Sequence, residues 1–102
     1  MSGIGIENLR EILETVGVYE NDYDYREYDL GTARDNAPLG LAGTSLTVKD
    51  LTGTASVRFN SNTKPLVPLA KGEVYQVAFT EVYLTNTAQA GQSLKLFIGK
   101  VS

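Results

Sequence analysis

The chain has 102 residues, 42% of them hydrophobic, which is the size and apolar content of one domain with a single core. It contains neither Cys nor His, and this excludes disulfides, thiolate nucleophiles, imidazole bases and the commonest transition-metal ligands. Neither an apolar run of about 18 residues nor a secretion signal occurs, so we expect a soluble chain without a signal peptide or a transmembrane segment.

The net charge of −3 is divided unevenly between the two parts of the chain. Residues 1–44 carry nine acids and three arginines, a net charge of −6, whereas residues 45–102 carry six bases and three acids, a net charge of +3. This polarity argues against nucleic-acid binding and suits an acidic arm that meets a basic surface, in the same chain or in a neighbouring subunit. Ordinary solvated charge explains it equally well.

Four apolar residues near the N-terminus predict an amphipathic helix over residues 6–16. Ile6, Leu9, Leu13 and Val16 follow one another at spacings of three, four and three, and Gly17 is suited to end the helix. Isolated helices shorter than about 12 to 15 residues are marginal in water. The apolar stripe must therefore dock, either on the protein's own sheet or on a symmetry mate or another protein.

An acidic, Tyr-rich arm follows over residues 18–30. Tyr23 and Tyr25 alternate with acids, and Tyr28 continues in a shifted register, which predicts a short edge strand or an extended arm. The like charges would repel a second copy of the same edge. Because Tyr is a favoured interface anchor, we interpret these tyrosines as contacts to a neighbour, with packing inside the chain as the alternative.

Residues 31–44 are rich in Gly, Ala and turn formers, which predicts a loop or linker. After it, residues 46–49 and 55–59 alternate apolar and polar side chains around a turn at residues 50–54, the pattern of a β-hairpin. This hairpin is the clearest in the chain.

Three further strands are predicted between residue 66 and the C-terminus. Residues 66–69 form a short strand limited by Pro68. The inward set of residues 73–86 changes parity near Thr80, which indicates a β-bulge or a corner. Residues 94–98 alternate again, although Phe97 lies on the second face and suggests that this face is covered too.

Six or seven short strands with turn signals between them predict a mainly β fold, a small antiparallel β-sandwich, jelly-roll-like or barrel domain with a short N-terminal amphipathic helix. We divide the chain into residues 1–44, which hold the helix, the acidic arm and the Gly/Ala-rich loop, and residues 45–102, which form the β-domain as one globular unit.

No catalytic, cofactor-binding or metal-binding motif is recognisable in this sequence. Asp22 and Asp24 offer carboxylate oxygens to a calcium ion, but their spacing does not match an EF-hand loop. The serines have no His partner, and neither a nucleophile elbow nor a phosphate-binding glycine motif is present. We therefore expect a protein that is not an enzyme and that needs no cofactor or metal.

The C-terminal stretch EVYLTNTAQAGQSLKLFIGK, residues 81–100, resembles the end of small virion-associated proteins of tailed bacteriophages. In that group a strand close to Y-L-T-N leads through an A-x-A-G turn into a final L-x-L-x-I-G strand. The earlier SLTVKDLTGTASVRFN, residues 45–60, resembles the same group. The resemblance implies a β-sandwich or jelly-roll-like decoration, tail or accessory module that usually acts as a symmetric oligomer and has no catalytic residues.

Together these features predict a non-enzymatic virion structural protein, a capsid decoration or accessory component, that is assembled in the host cytoplasm. Its expected partners are copies of itself, preferably as a trimer, and other virion proteins, but no nucleic acid and no membrane. The alternative is a tail-associated carbohydrate-binding or receptor-binding β-module. The predicted interface residues are Ile6, Leu9, Leu13, Val16, Tyr23, Tyr25 and Tyr28.

Overall fold

The computed structural model describes residues 20–101, and the helix predicted over residues 6–16 lies outside the described residues. Within residues 20–101 there are eight β-strands and no helix. The strands are β1 (Asp22–Asp29), β2 (Arg34–Pro38), β3 (Ser45–Leu51), β4 (Ser56–Phe59), β5 (Val67–Pro68), β6 (Val74–Tyr75), β7 (Val82–Asn86) and β8 (Ser93–Lys100).

The strands form two four-stranded sheets in which every neighbouring pair is antiparallel. Sheet A has the order β1-β8-β3-β6, and sheet B has the order β2-β7-β4-β5. Consecutive strands lie in different sheets except for β4 and β5, which are neighbours in sheet B. The predicted mainly β, antiparallel fold is confirmed for this part of the chain.

One hydrophobic core fills the space between the sheets, because each strand has a side-chain period of two and buries alternate residues. In β8 the fully buried residues are Leu94, Leu96 and Ile98. In β7 they are Val82 and Leu84. The inward faces predicted for these two strands are confirmed.

The predicted hairpin between residues 46–49 and 55–59 is wrong, since β3 and β4 belong to different sheets. β3 pairs with β6 and β8, whereas β4 pairs with β5 and β7. Alternation decides which side chains point inward but not which strand lies alongside. Val48 and Val57 are therefore both fully buried in the core, one from each sheet, although their strands do not share a ladder.

The loop predicted over residues 31–44 differs from the structure, which contains β2 in this segment. Residues of β2 pair with β7, with a register shift between Arg34 and Ala37 and a positive φ of 52° at Asn36. The sequence RDNAP has little β-propensity of its own, so pairing with β7 decides its conformation. Each sheet takes one edge strand from residues 22–44, namely β1 in sheet A and β2 in sheet B. β1 pairs with β8 along its whole length, and the edge strand predicted for the acidic arm is confirmed.

The parity change predicted near Thr80 is confirmed as a corner where the chain passes from β6 in sheet A to β7 in sheet B. Asn60, with a positive φ of 73°, supports this corner from the end of β4. Its Oδ1 accepts a hydrogen bond from Thr80 N at 2.8 Å, and its Nδ2 donates to Ala78 O at 3.1 Å.

Asn86, at the end of β7, is a buried polar residue that holds the connection between β1 and β2. Its Nδ2 donates to the carbonyl oxygens of Leu30, Thr32 and Thr87, at 3.4, 3.0 and 2.7 Å. Its Oδ1 accepts from Arg34 Nη1 at 3.1 Å. The buried amide therefore has hydrogen-bond partners for both its nitrogen and its oxygen, and it ties the connection between β1 and β2 to the end of β7.

We expect Asn86→Ala to lower the free energy of unfolding by about 2 kcal/mol, because the hydrogen bonds of this buried amide to the connection between β1 and β2 and to Arg34 are lost. Urea denaturation monitored by tyrosine fluorescence measures the loss. Asn62→Ala, in an exposed turn, is the matched control and should change stability by less than about 0.5 kcal/mol. Equal effects of the two substitutions would contradict the role given to Asn86.

Candidate functional site

The outer face of sheet A is built by the pairing of β1 with β8. In this register Tyr25 lies opposite Phe97, and Glu27 lies opposite Lys95. The alternate residues of β8 are buried in the core, so Phe97 and Lys95 point away from it. Tyr25 and Glu27 point to the same side, because paired residues of an antiparallel ladder share a face.

An apolar row crosses all four strands of this face and consists of Tyr25, Phe97, Thr47 and Val74. The exposed fractions are 42% for Tyr25, 36% for Phe97 and 51% for Val74. Tyr23, in β1 beside the row, is 61% exposed, and its ring stacks on Phe97 with centroids 5.2 Å apart and planes inclined by 10°. Four of the six exposed large hydrophobic residues in the described part of the chain thus lie on one face.

A charged row lies beside the apolar row and consists of Glu27, Lys95, Asp50 and Lys71. Lys95 pairs with Glu27 on one side and with Asp50 on the other. Lys71 Nζ, in the turn before β6, is 3.4 Å from Asp50 Oδ1. Across the sheet the charges therefore alternate as negative, positive, negative and positive.

Tyr25 joins the two rows electrostatically. Desolvation by its surroundings, and next the hydrogen bond and charge of Glu27, raise the pKa of the Tyr25 phenol above its ordinary value. A phenol is neutral at physiological pH, and the raised pKa extends that neutral range to higher pH.

The other side of β1 carries charged residues that point toward the inner side of the sheet. Lys100 Nζ is 2.9 Å from Asp24 Oδ2 and 3.9 Å from Asp22 Oδ2, and Arg26 Nη1 is 3.8 Å from Asp24 Oδ1. The hydrogen bond from Lys100 lowers the pKa of Asp24. A lysine ammonium thus lies beside the two carboxylates considered for calcium, and residues 20–101 contain no group of three or more acidic residues placed to hold a metal ion.

The outer face of sheet B is chemically different, because its polar side chains bond to one another. Asn36 Oδ1 accepts hydrogen bonds from Arg58 Nη1 and from Thr85 Oγ1. Arg58 Nε also donates to Lys64 O at 2.8 Å. The exposed aromatic surface is therefore a property of sheet A and not of the sandwich as a whole.

The seven predicted interface residues fall into three groups. Tyr23 and Tyr25 lie together on the outer face of sheet A. Tyr28 points to the opposite side of β1, where it packs against the core, and Arg34 Cζ lies 5.8 Å from the centre of its ring. The remaining four lie outside the described residues: Ile6, Leu9, Leu13 and Val16.

Sequence reasoning missed Phe97, Thr47 and Val74 as members of the same surface. The position of Phe97 on the second face of β8 was a signal, and within residues 20–101 the expected cover is partial, since Tyr23 stacks on Phe97 but the residue stays 36% exposed. Thr47 and Val74 carry no local signal, because only the pairing of β3 with β6 and β8 places them in the row.

Comparison of the chain with protein-family models, with curated proteins and with solved structures finds no match. Among residues 20–101 no helix is long and apolar enough to cross a membrane.

We expect Asp24→Asn to lower stability at about pH 7 and to have a smaller effect at about pH 3. The folded-state pKa of Asp24 is depressed, so its contribution is present above the unfolded value and is lost as the pH falls through the folded value. Urea denaturation at both pH values measures the difference from the wild type. Asp35→Asn is the control, because Asp35 is an exposed residue of β2. A loss of unfolding free energy for Asp24→Asn that is equally large at both pH values would contradict the ion pair.

Proposed function

We propose that this chain is a non-enzymatic virion structural protein of a tailed bacteriophage, a capsid decoration or accessory component that acts by binding copies of itself and neighbouring virion proteins. The observation that carries the proposal is the exposed aromatic face of sheet A, with Tyr23, Tyr25, Phe97 and Val74 on its surface. An exposed patch of this kind on one face is the usual mark of an interaction surface.

The strand order gives the proposal its second support. The orders β1-β8-β3-β6 and β2-β7-β4-β5 are those of a jelly roll, an arrangement that recurs in viral capsid and lectin domains. A fold alone does not assign a function, so this support is shared with the alternative below.

The composition of the face gives the third support. Tyr and Phe are enriched at the centres of protein interfaces, where charged residues are depleted and form the surrounding rim. Here the apolar row has the charged row along one side. The resemblance implies a symmetric oligomer, for which a trimer is the preferred state. This oligomer and the docking of the stripe Ile6, Leu9, Leu13 and Val16 on a neighbour belong to the same proposal.

The direct test is to look for the protein in particles. In purified virions from the phage that encodes this chain, we expect mass spectrometry to find the protein in a fixed ratio to the major capsid or tail protein. Density-gradient fractions without particles are the control. Presence only in the particle-free fractions would contradict a virion role.

The alternative is a tail-associated module that binds a carbohydrate or a receptor, and the observation that favours it is the exposed Tyr23 ring stacked on Phe97. On this hypothesis Tyr23→Ala abolishes binding to a glycan array while the oligomeric mass stays unchanged. An array without hits for the wild-type chain would contradict it.

A further inference from the structure

We propose that the outer face of sheet A is complementary to itself, and that two copies of the chain pair through this face around a two-fold axis parallel to the strands. The inference rests on the proposed assembly role and names the contact that it would use. It follows from the order of side chains in the apolar row and in the charged row.

The geometry of the pair is set by the two rows. The two-fold axis lies between the two facing sheets, runs parallel to their strands and passes midway between β8 and β3. Rotation about it leaves each row at the same position along the strands and reverses the order of the side chains within the row. β1 then lies over β6 of the second copy, and β8 lies over β3. Sheets packed in this way are about 10 Å apart, with strand directions within about 30° of one another.

The apolar row matches its own reverse in size. It is large at one end, with Tyr25 and Phe97, and smaller at the other, with Thr47 and Val74. After the rotation Tyr25 lies over Val74 of the second copy, and Phe97 lies over Thr47. Large side chains therefore meet smaller ones along the whole row, as close packing requires.

The charged row matches its own reverse in sign. Glu27, Lys95, Asp50 and Lys71 alternate from negative to positive, so the reversed row has the opposite charge at every position. Glu27 then faces Lys71 of the second copy, and Lys95 faces Asp50. One rotation satisfies two rows of different chemistry, and rim charges arranged in this way fix the register of an interface.

The competing occupant of this face is the part of the same chain that precedes residue 20. Glu20 accepts a hydrogen bond from Thr44 Oγ1, and its carboxylate occupies the space beside Gly99 that a Cβ would otherwise fill. The described chain thus begins beside the apolar row. The charge order favours the second copy, because residues 1–19 carry three acids and one arginine, whereas a row of alternating sign needs a counterpart with equal numbers of both.

The first test is cross-linking of the 102-residue chain, which contains no native Cys. A mixture of Tyr25→Cys and Val74→Cys variants, treated with a bismaleimide of short reach, should give a covalent dimer that contains one copy of each. Either variant alone should give little, because the two copies of position 25 are separated by three strand spacings of about 4.8 Å each.

Leu66→Cys is the matched control, since Leu66 is 41% exposed and lies outside sheet A. Its mixture with Tyr25→Cys should give no covalent dimer. No dimer from the Tyr25→Cys and Val74→Cys mixture, or efficient dimer from Tyr25→Cys alone, would overturn the proposed axis. An intramolecular cross-link in the doubly substituted Leu13→Cys, Val74→Cys chain would overturn it in favour of the chain's own N-terminal segment.

The second test exchanges the charges of one proposed contact. Glu27→Lys places like charges opposite each other and should raise the dissociation constant of the pair about fivefold or more at low salt, by sedimentation equilibrium over a dilution series. Adding Lys71→Glu to the same chain should return the dissociation constant to within about twofold of the wild-type value. Asp35→Lys, in sheet B, is the control and should leave the dissociation constant unchanged.

Failure of the double variant to recover would contradict the contact between Glu27 and Lys71. A strict monomer, or a trimer that does not pair into hexamers at any concentration, would contradict the pair itself, since a two-fold contact gives even numbers of copies. If cross-linking fails while the protein is found in purified virions, the pairing is wrong and the virion role stands. If the pair forms but the protein is absent from virions, the reverse holds.

Discussion

The pairing of β1 with β8 is the interaction on which the rest of the structure depends. It joins an early segment of the chain to its end over eight residue pairs, from Asp22 with Lys100 to Asp29 with Ser93. A shift of one residue would turn Tyr25 inward and Asp24 outward, because side chains alternate between faces. Burial of Tyr28 against the core and the bond between Lys100 and Asp24 both favour the observed register. The aromatic face therefore follows from the same contacts that complete sheet A.

The sequence predicts the inward faces of the later strands well, because local alternation contains that information. Leu94, Leu96 and Ile98 in β8 and the corner near Thr80 are examples. It does not predict which strands are neighbours, since pairing depends on contacts between distant segments. The connection after β3 reads as a hairpin, but the chain crosses to the other sheet there. β2 is missed for the same reason, because its conformation is imposed by β7.

For the outer face of sheet A, too, the sequence identifies only some of the residues that take part. The alternation of Tyr23 and Tyr25 with acids predicts a strand with both tyrosines on one side, and both lie on the outer face of sheet A. Tyr28 looks equivalent in the sequence, yet it continues in the other register and packs against the core. Val74 is an ordinary residue of a two-residue strand until β3 places it across from Thr47. When a surface takes one residue from each of four strands, the sequence of a single strand does not indicate that the surface exists.

The edges of the described sheets are poor sites for adding a strand, and this directs association to the faces. β1 is the longest edge, but Asp24 and Arg26 point to its inner side, which is a common protection against pairing. β5 and β6 have only two residues each, and β2 ends at Pro38 and has an irregular register. The outer face of sheet B has polar groups that bond to one another. Among the surfaces of the described fold, the outer face of sheet A combines exposed aromatic area with an ordered set of charges, and we therefore expect assembly to proceed through it.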